Sequence, residues 1–432
     1  MNNRLLWCIL WLWFALAGTT ALGAESAVGA ETQERASAVP GAVGAVRVRD
    51  AYRLGYERRN DPDRSSAGIG EHIVVRVDNL QSLLDRAQCK GQGPGCQKQN
   101  ISLFLDGRRI DKIVPISGAP QPGREILQFR LDRNVDNDRI WADLLGAPPL
   151  SEAFFYRPTA VSVGLENGYA EESDVNGDRF NLRRVREIRF WACVIAIVLL
   201  IWLFARLAHH SDILRDSGRP PSGLAPNGRP HRRPFSLSRC QMAFWFFLVI
   251  VSYLLIWQIT NAIDIVNETV LGLIGIGAGT ALGAAAVDAS KREDAENAVL
   301  GLQTELSTLK HVVSVLNAEL AVAAPPPNAD ELRQQLAEKQ GQVTGLQTRL
   351  AHAEANAQPL VSRGFMWDIL SEAHGVSFHR FQMVTWTIIL GVIFIDSVYT
   401  RLSMPAFSAT LLALQGISAG TYLGFKIPER QT

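Results

Sequence analysis

Cys89 and Cys96 are the residues whose spacing points most directly to a covalent bond. The six residues between them, Lys-Gly-Gln-Gly-Pro-Gly, are turn formers, so a disulfide would close a short loop in an oxidising compartment. Loop entropy puts its contribution at about 2 to 3 kcal/mol. The alternative, a metal site, lacks a His or a second Cys pair nearby in sequence. Asp174, Asn176 and Asp178 open a run that begins like a calcium loop, but its sixth position is Arg179 instead of Gly and its twelfth is Val185 instead of Glu. That run reads as a polar turn. His72 stands on a strand with no second His beside it, and Asn100-Ile-Ser102 fits the short glycosylation pattern. These residues supply no catalytic, cofactor or metal assignment, and the expectation is a chain that is not an enzyme.

A second set of polar residues recurs inside apolar sequence. S-x-x-R-x-Q-M-x-x-W is written at Ser236, Arg239, Gln241, Met242 and Trp245, and again at Ser377, Arg380, Gln382, Met383 and Trp386. Each pair is 141 positions apart (377 minus 236), and the match runs without a gap to Gly283 and Gly424. Two readings follow. Arg239 and Arg380 can snorkel to lipid headgroups while Trp245 and Trp386 sit at the interface. Alternatively, the Arg and Gln side chains tie these helix starts to neighbouring spans.

The elements that must position these residues are membrane helices. Apolar residues make up 47% of the 432, gathered into a few long runs, and the net charge of +1 argues against nucleic acid as a partner. The start, with Arg4, an apolar run over 5–17 and a small-residue site at Ala21-Leu22-Gly23, reads as a signal peptide over 1–24. A low-complexity linker over 25–45 follows. Five spans are expected after it, at 190–207, 242–259, 270–287, 383–399 and 406–425, each near the roughly 20 residues that a bilayer requires. The loop over 208–235 is rich in Arg and Pro, whereas 260–269 has no Lys or Arg, which places the former in the cytoplasm. Arg183, Arg184, Arg186 and Arg189 oppose that orientation, and they carry less weight because a signal peptide commits the preceding domain to export.

Residues 46–182 alternate as short strands with frequent turns, Asp106-Gly107 being the strongest hairpin signal, and predict an exported antiparallel β-sandwich of immunoglobulin-like class. Short helices are expected at 80–88 and 138–145. Each copy of the repeat, 236–288 and 377–425, is a helical hairpin. Each ends in glycines spaced by four, Gly275, Gly279 and Gly283 in one and Gly416, Gly420 and Gly424 in the other. That spacing sets them on one helix face suited to close packing, between the two hairpins or between subunits. Between the copies, 289–358 carries heptads at Leu302, Leu306, Leu309, Val313, Leu316 and Leu320, and again at Leu332, Leu336, Lys339, Val343, Leu346 and Leu350. Three prolines at 325–327 separate the arms, so an antiparallel coiled-coil hairpin is expected, with pairing between subunits as the competing arrangement. An interfacial helix is expected over 365–376 and a cytoplasmic tail over 426–432.

The resulting expectation is a multi-pass helical protein of the bacterial inner membrane, with the sandwich outside and the coiled coil inside. Its partners would be lipids, a second copy or a cytoplasmic coiled-coil protein, and an exported-side ligand of unstated kind. Sensing or scaffolding is the first functional expectation. An oligomeric channel lined or packed by the glycine-bearing helices is the alternative.

Overall fold

A computed structural model describes residues 45–58, 61, 63–90, 97–116, 125–149, 154–177, 179–225, 228, 230–321, 328–372 and 375–428. The expected signal peptide, almost all of the linker, Cys96, Asp178 and the triple proline lie outside these residues. The chain divides between Leu207 and Ala208 into two units.

The first unit holds the strands β1 (Arg47–Arg53), β2 (Ser66–Ala67) and β3 (His72–Asp78), then the helix α1 (Leu80–Ala87). Next come β4 (Ile101–Leu105), β5 (Arg108–Arg109) and β6 (Ile126–Arg130), the helix α2 (Asp138–Leu145), and β7 (Tyr156–Pro158) to β10 (Asn181–Arg183), with β8 at Val161–Leu165 and β9 at Glu172–Ser173. They form three small sheets in the orders β6-β3-β1-β9, β2-β10-β7 and β5-β4-β8. Asp106 and Gly107 both take positive φ, 50° and 75°, which is what a two-residue turn needs to match strand twist. All five residues of β4 are buried, because its sheet is covered on both faces. The arrangement is mixed, not purely antiparallel as expected from the sequence. The pairs β1–β9 and β2–β10 are parallel. Two-residue strands reached by long connections are free of the direction that a hairpin imposes.

The arginines before the first span are committed to this domain. Arg183 and Arg186 both pair with Glu71, which also meets Arg53 at 3.2 Å. Arg184 donates to the backbone carbonyls of Leu145 and Phe154, at 3.1 and 3.2 Å. Of the four arginines weighed for orientation, these three are held by the domain and Arg189 is exposed.

Among the described residues, four helices are long and apolar enough to cross a membrane. The first, α3 (Glu187–His210), leaves Trp191, Ile195, Leu199, Trp202 and Leu203 exposed along one face, and Cys193 is its one buried residue. The others are α4 (Leu237–Thr260), α5 (Glu268–Leu320) and, after α6 (Ala329–Asn356) and the six-residue α7 (Phe365–Leu370), the helix α8 (Phe378–Arg401). The segment expected as a fifth span forms α9 (Ala409–Lys426), whose 18 residues extend about 27 Å at 1.5 Å per residue.

α8 and α9 begin 141 positions after α4 and α5 (378 minus 237; 409 minus 268). Their ends are finished alike. Asn261 and Leu402 cap α4 and α8 in the left-handed conformation, while the side chains of Asn267 and Ser408 accept from Val270 and Leu411 to start α5 and α9. The two outer turns are stitched together. The Asn267 amide donates to the carbonyls of Met404 and Pro405, and the Phe407 amide donates to the Thr269 hydroxyl at 3.0 Å. Below the bundle, Arg215 pairs with Phe235 as Ser371, in β11 (Ser371–Glu372), pairs with Val376, in β12 (Gly375–Val376). The interfacial helix expected over 365–376 is therefore helical only in α7, because a short β-pair returns the chain to α8.

α5 does not stop at the membrane boundary. It runs unbroken for 53 residues and packs on α6. Leu306, Leu332 and Leu346 are buried and the other nine heptad residues are half-buried, while the remaining residues of 301–320 and 331–350 are exposed.

Candidate functional site

The four helices α4, α5, α8 and α9 enclose an interior arranged in layers. At the end that carries the α4–α5 and α8–α9 turns, called outer in the expected topology, lies an apolar cluster that includes Trp245, Leu248, Leu273, Leu390, Phe394 and Phe407. At the inner end lies a smaller one of Leu237, Ala284, Ile369, Met383 and Tyr422. On each helix one turn separates the two, and that turn is polar or small. It holds Gln241 on α4, Gly277 and Thr280 on α5, Thr387 on α8, and Gln415 and Ser418 on α9, all buried.

Within this layer Gln241 donates from its side-chain nitrogen to the Thr387 hydroxyl at 2.7 Å, and Gln382 donates to the Ser418 hydroxyl at 3.3 Å. The two glutamines of the repeated motif thus tie their helices to a neighbour, the second of the readings weighed from sequence. Thr387 and Thr280 also donate to the carbonyls of Met383 and Ile276, one turn back on their own helices. Trp245 lies in the core instead of at the interface, and Trp386 is half-buried. Close approach is needed here. A Cβ on Gly277 would touch Trp245 at 3.7 Å, and one on Gly391 would meet the Phe244 ring at 2.7 Å. Several polar atoms in the layer have no hydrogen-bond partner among the described residues, namely the Gln241 carbonyl oxygen, the Trp245 indole nitrogen and both amide atoms of Gln415. A buried group left so costs about 1 to 3 kcal/mol.

Beyond the inner cluster is a set of charges that the sequence reading missed. The Lys426 ammonium lies 3.0 Å from Asp288, 3.5 Å from Asp216 and 3.5 Å from the Tyr422 hydroxyl, with Lys426 and Asp288 both buried. Lys291 donates to the Lys426 backbone carbonyl. Asp288 was legible only as the polar end of a span and Lys426 as part of a tail. The shared spacing along α9 of Gln415, Ser418, Tyr422 and Lys426, at steps of three or four, was the signal available.

The second motif arginine belongs to the same end. Arg380 is buried, donates to the Asp368 carbonyl at 3.3 Å and lies over the Tyr422 ring. Arg239 donates to the Ser217 hydroxyl at 2.7 Å. The Asp368 carboxylate accepts from the Phe235 and Arg363 amides and from the Ser362 hydroxyl, at 3.1, 2.9 and 2.6 Å. Nearby, burial pushes the Arg215 guanidinium below its usual range; Arg232 and Arg233 act the same way and Asp212 and Asp368 oppose.

The repeated glycines take a different place. A Cβ on Gly275, Gly279, Gly416, Gly420 or Gly424 would meet nothing within 4 Å, and only Gly283 contacts the other hairpin, at Leu423. Of the two uses weighed, packing between hairpins is made by Gly283 alone. Gly275 and Gly277 are two residues apart, about 200° around the helix, so burying Gly277 turns the repeated glycines outward.

In the first unit, Cys89 is disulfide-bonded, while its expected partner Cys96 lies outside the described residues. Asp174 of the calcium-like run is held by Arg47 at 2.6 Å. Among the described residues no group of three or more His, Cys, Asp or Glu is placed to hold a metal ion. The chain matches no protein-family model, no curated protein and no solved structure in the comparisons made.

Proposed function

We propose that this protein is a non-enzymatic envelope protein of the bacterial inner membrane, in which a duplicated helical hairpin anchors a cytoplasmic coiled-coil stalk and an exported β domain is carried by a single span. The observation that carries the reading is the continuity of α5. One uninterrupted helix is buried in the bundle at Val270 to Asp288 and serves as an arm of the stalk at Leu302 to Leu320. A rigid helix of this kind transmits displacement or holds a fixed geometry, and interlocked outer turns suit a fixed geometry. α9 serves as the fifth span, which brings the chain's end to the side of the stalk. Sensing or scaffolding then consists of presenting the stalk to a cytoplasmic coiled-coil protein or to another copy.

The test is copurification from native membranes of the full chain against a variant with Leu306→Asp and Leu346→Asp, which disrupts the stalk seam. A cytoplasmic partner or self-association lost in the variant supports the reading. Equal recovery of all associated proteins would sink it.

The outward glycine faces favour a second reading, an oligomeric channel in which α5 and α9 pack around a pore between subunits. Ion flux in liposomes that disappears with Gly279→Leu or Gly420→Leu would favour it; purified protein without flux would count against it.

A further inference from the structure

The two copies of the hairpin differ most tellingly in the polar layer. Gln241 and Gln382 are shared by the repeat, but Thr387 stands where the first copy has Phe246, Ser418 where it has Gly277, and Gln415 where it has Ile274. Three apolar or small positions have thus become polar in the second copy, and all three are buried in the same layer. Gln415 is 1% exposed, Trp245 1% and Gln241 3%. Their side chains hold the unpartnered atoms named above, two donors and two acceptors in all.

We propose that this layer is an occluded binding site for a small neutral hydrogen-bonding molecule, and that in a simple membrane the occupant is water. The argument rests on the kinds of atom present. Lipid cannot satisfy a buried amide, so polar groups at membrane depth find partners within the protein or in enclosed water. The indole and amide nitrogens offer hydrogens, which repel a cation. The two amide oxygens offer lone pairs, which repel an anion. A molecule that both donates and accepts complements the whole set. The layer itself contains no charged side chain. The nearest buried charges, Arg380, Asp288 and Lys426, belong with the inner cluster or beyond it. Apolar clusters above and below make the site closed, so it is distinct from a pore through the chain, and the inference stands apart from the role of the stalk.

Solid-state NMR of the full-length protein in phosphatidylcholine bilayers tests this. Magnetisation is transferred from water to 15N-labelled tryptophan indoles, and the Trp245 signal is identified by its loss in Trp245→Phe. The expected result is rapid transfer to the Trp245 indole in the unaltered protein, reduced several-fold in Gln415→Met and restored in Gln415→Asn. Absence of rapid transfer in the unaltered protein overturns the proposal, and so does transfer undiminished in Gln415→Met. The first of these outcomes does not use Gln415→Met, so the test survives if that variant does not fold.

Discussion

Gln241 of α4 donates its side-chain amide to the hydroxyl of Thr387 in α8, 2.7 Å away, at a level of the bundle where both are buried. The bond joins the first copy of the repeat to the second, and its partner is a residue in which the copies differ. Measured interhelical bonds of this kind contribute about 0.6 to 2 kcal/mol. Gln241→Leu should therefore lower thermal stability in detergent modestly. Gln241→Leu combined with Thr387→Val should cost less than the sum of the single changes, which a double-mutant cycle reads directly.

Lys426 provides a stronger test, since its ammonium is buried between Asp288 and Asp216. Lys426→Met leaves a buried carboxylate without its cation and should destabilise the bundle by about 3 to 5 kcal/mol. Adding Asp288→Asn should recover part of the loss. Thermal unfolding of the purified variants measures both, and an unchanged midpoint for Lys426→Met would show that the pair is not formed.

Two glycine substitutions separate the inward and outward helix faces. Gly391→Leu should destabilise by about 1 to 3 kcal/mol, because its Cβ already meets the Phe244 ring and the rest of the side chain must enter a buried position. A Cβ at Gly279 meets nothing within 4 Å among the described residues and the position is exposed, so Gly279→Leu should leave monomer stability unchanged and weaken cross-linking between copies. Equal destabilisation by the two would place Gly279 in the interior.

In the β domain, Glu71 is the shared partner of Arg53, Arg183 and Arg186. Glu71→Gln removes the nearer counter-charge of the buried Arg183, leaving Asp63 at 3.9 Å, and should cost roughly 3 kcal/mol. Calorimetry of the full chain should show this loss in one transition if the domain unfolds apart from the bundle.

Orientation is best read from the stalk. Cys240 is a poor reporter because its thiol is packed toward the Leu214 carbonyl, 3.9 Å away. Cysteines introduced at Ser307 and Thr348, both exposed, should react with impermeant thiol reagents only after the inner face is opened. Labelling of intact cells would invert the proposed topology.

The sequence by itself marked where the long apolar helices lie, because hydropathy is a local property, but not their lengths: α5 runs on for 53 residues and α7 stops after six. The α4 and α8 pair begins and ends at the 141-residue offset that the repeat specifies, and all twelve heptad residues are the protected ones of their arms. The strands and the Asp106-Gly107 turn were legible for the same reason. Only the tertiary structure decided which face of each helix turns inward. Glycines spaced by four mark a face that permits close approach, but they carry no side chain to bury. The larger Leu273, Tyr422 and Phe394 drive the helices to turn the other way. The same rotation gathers Gln415, Ser418 and Lys426 inside, where a sequence stripe becomes a polar layer because three other helices close over it.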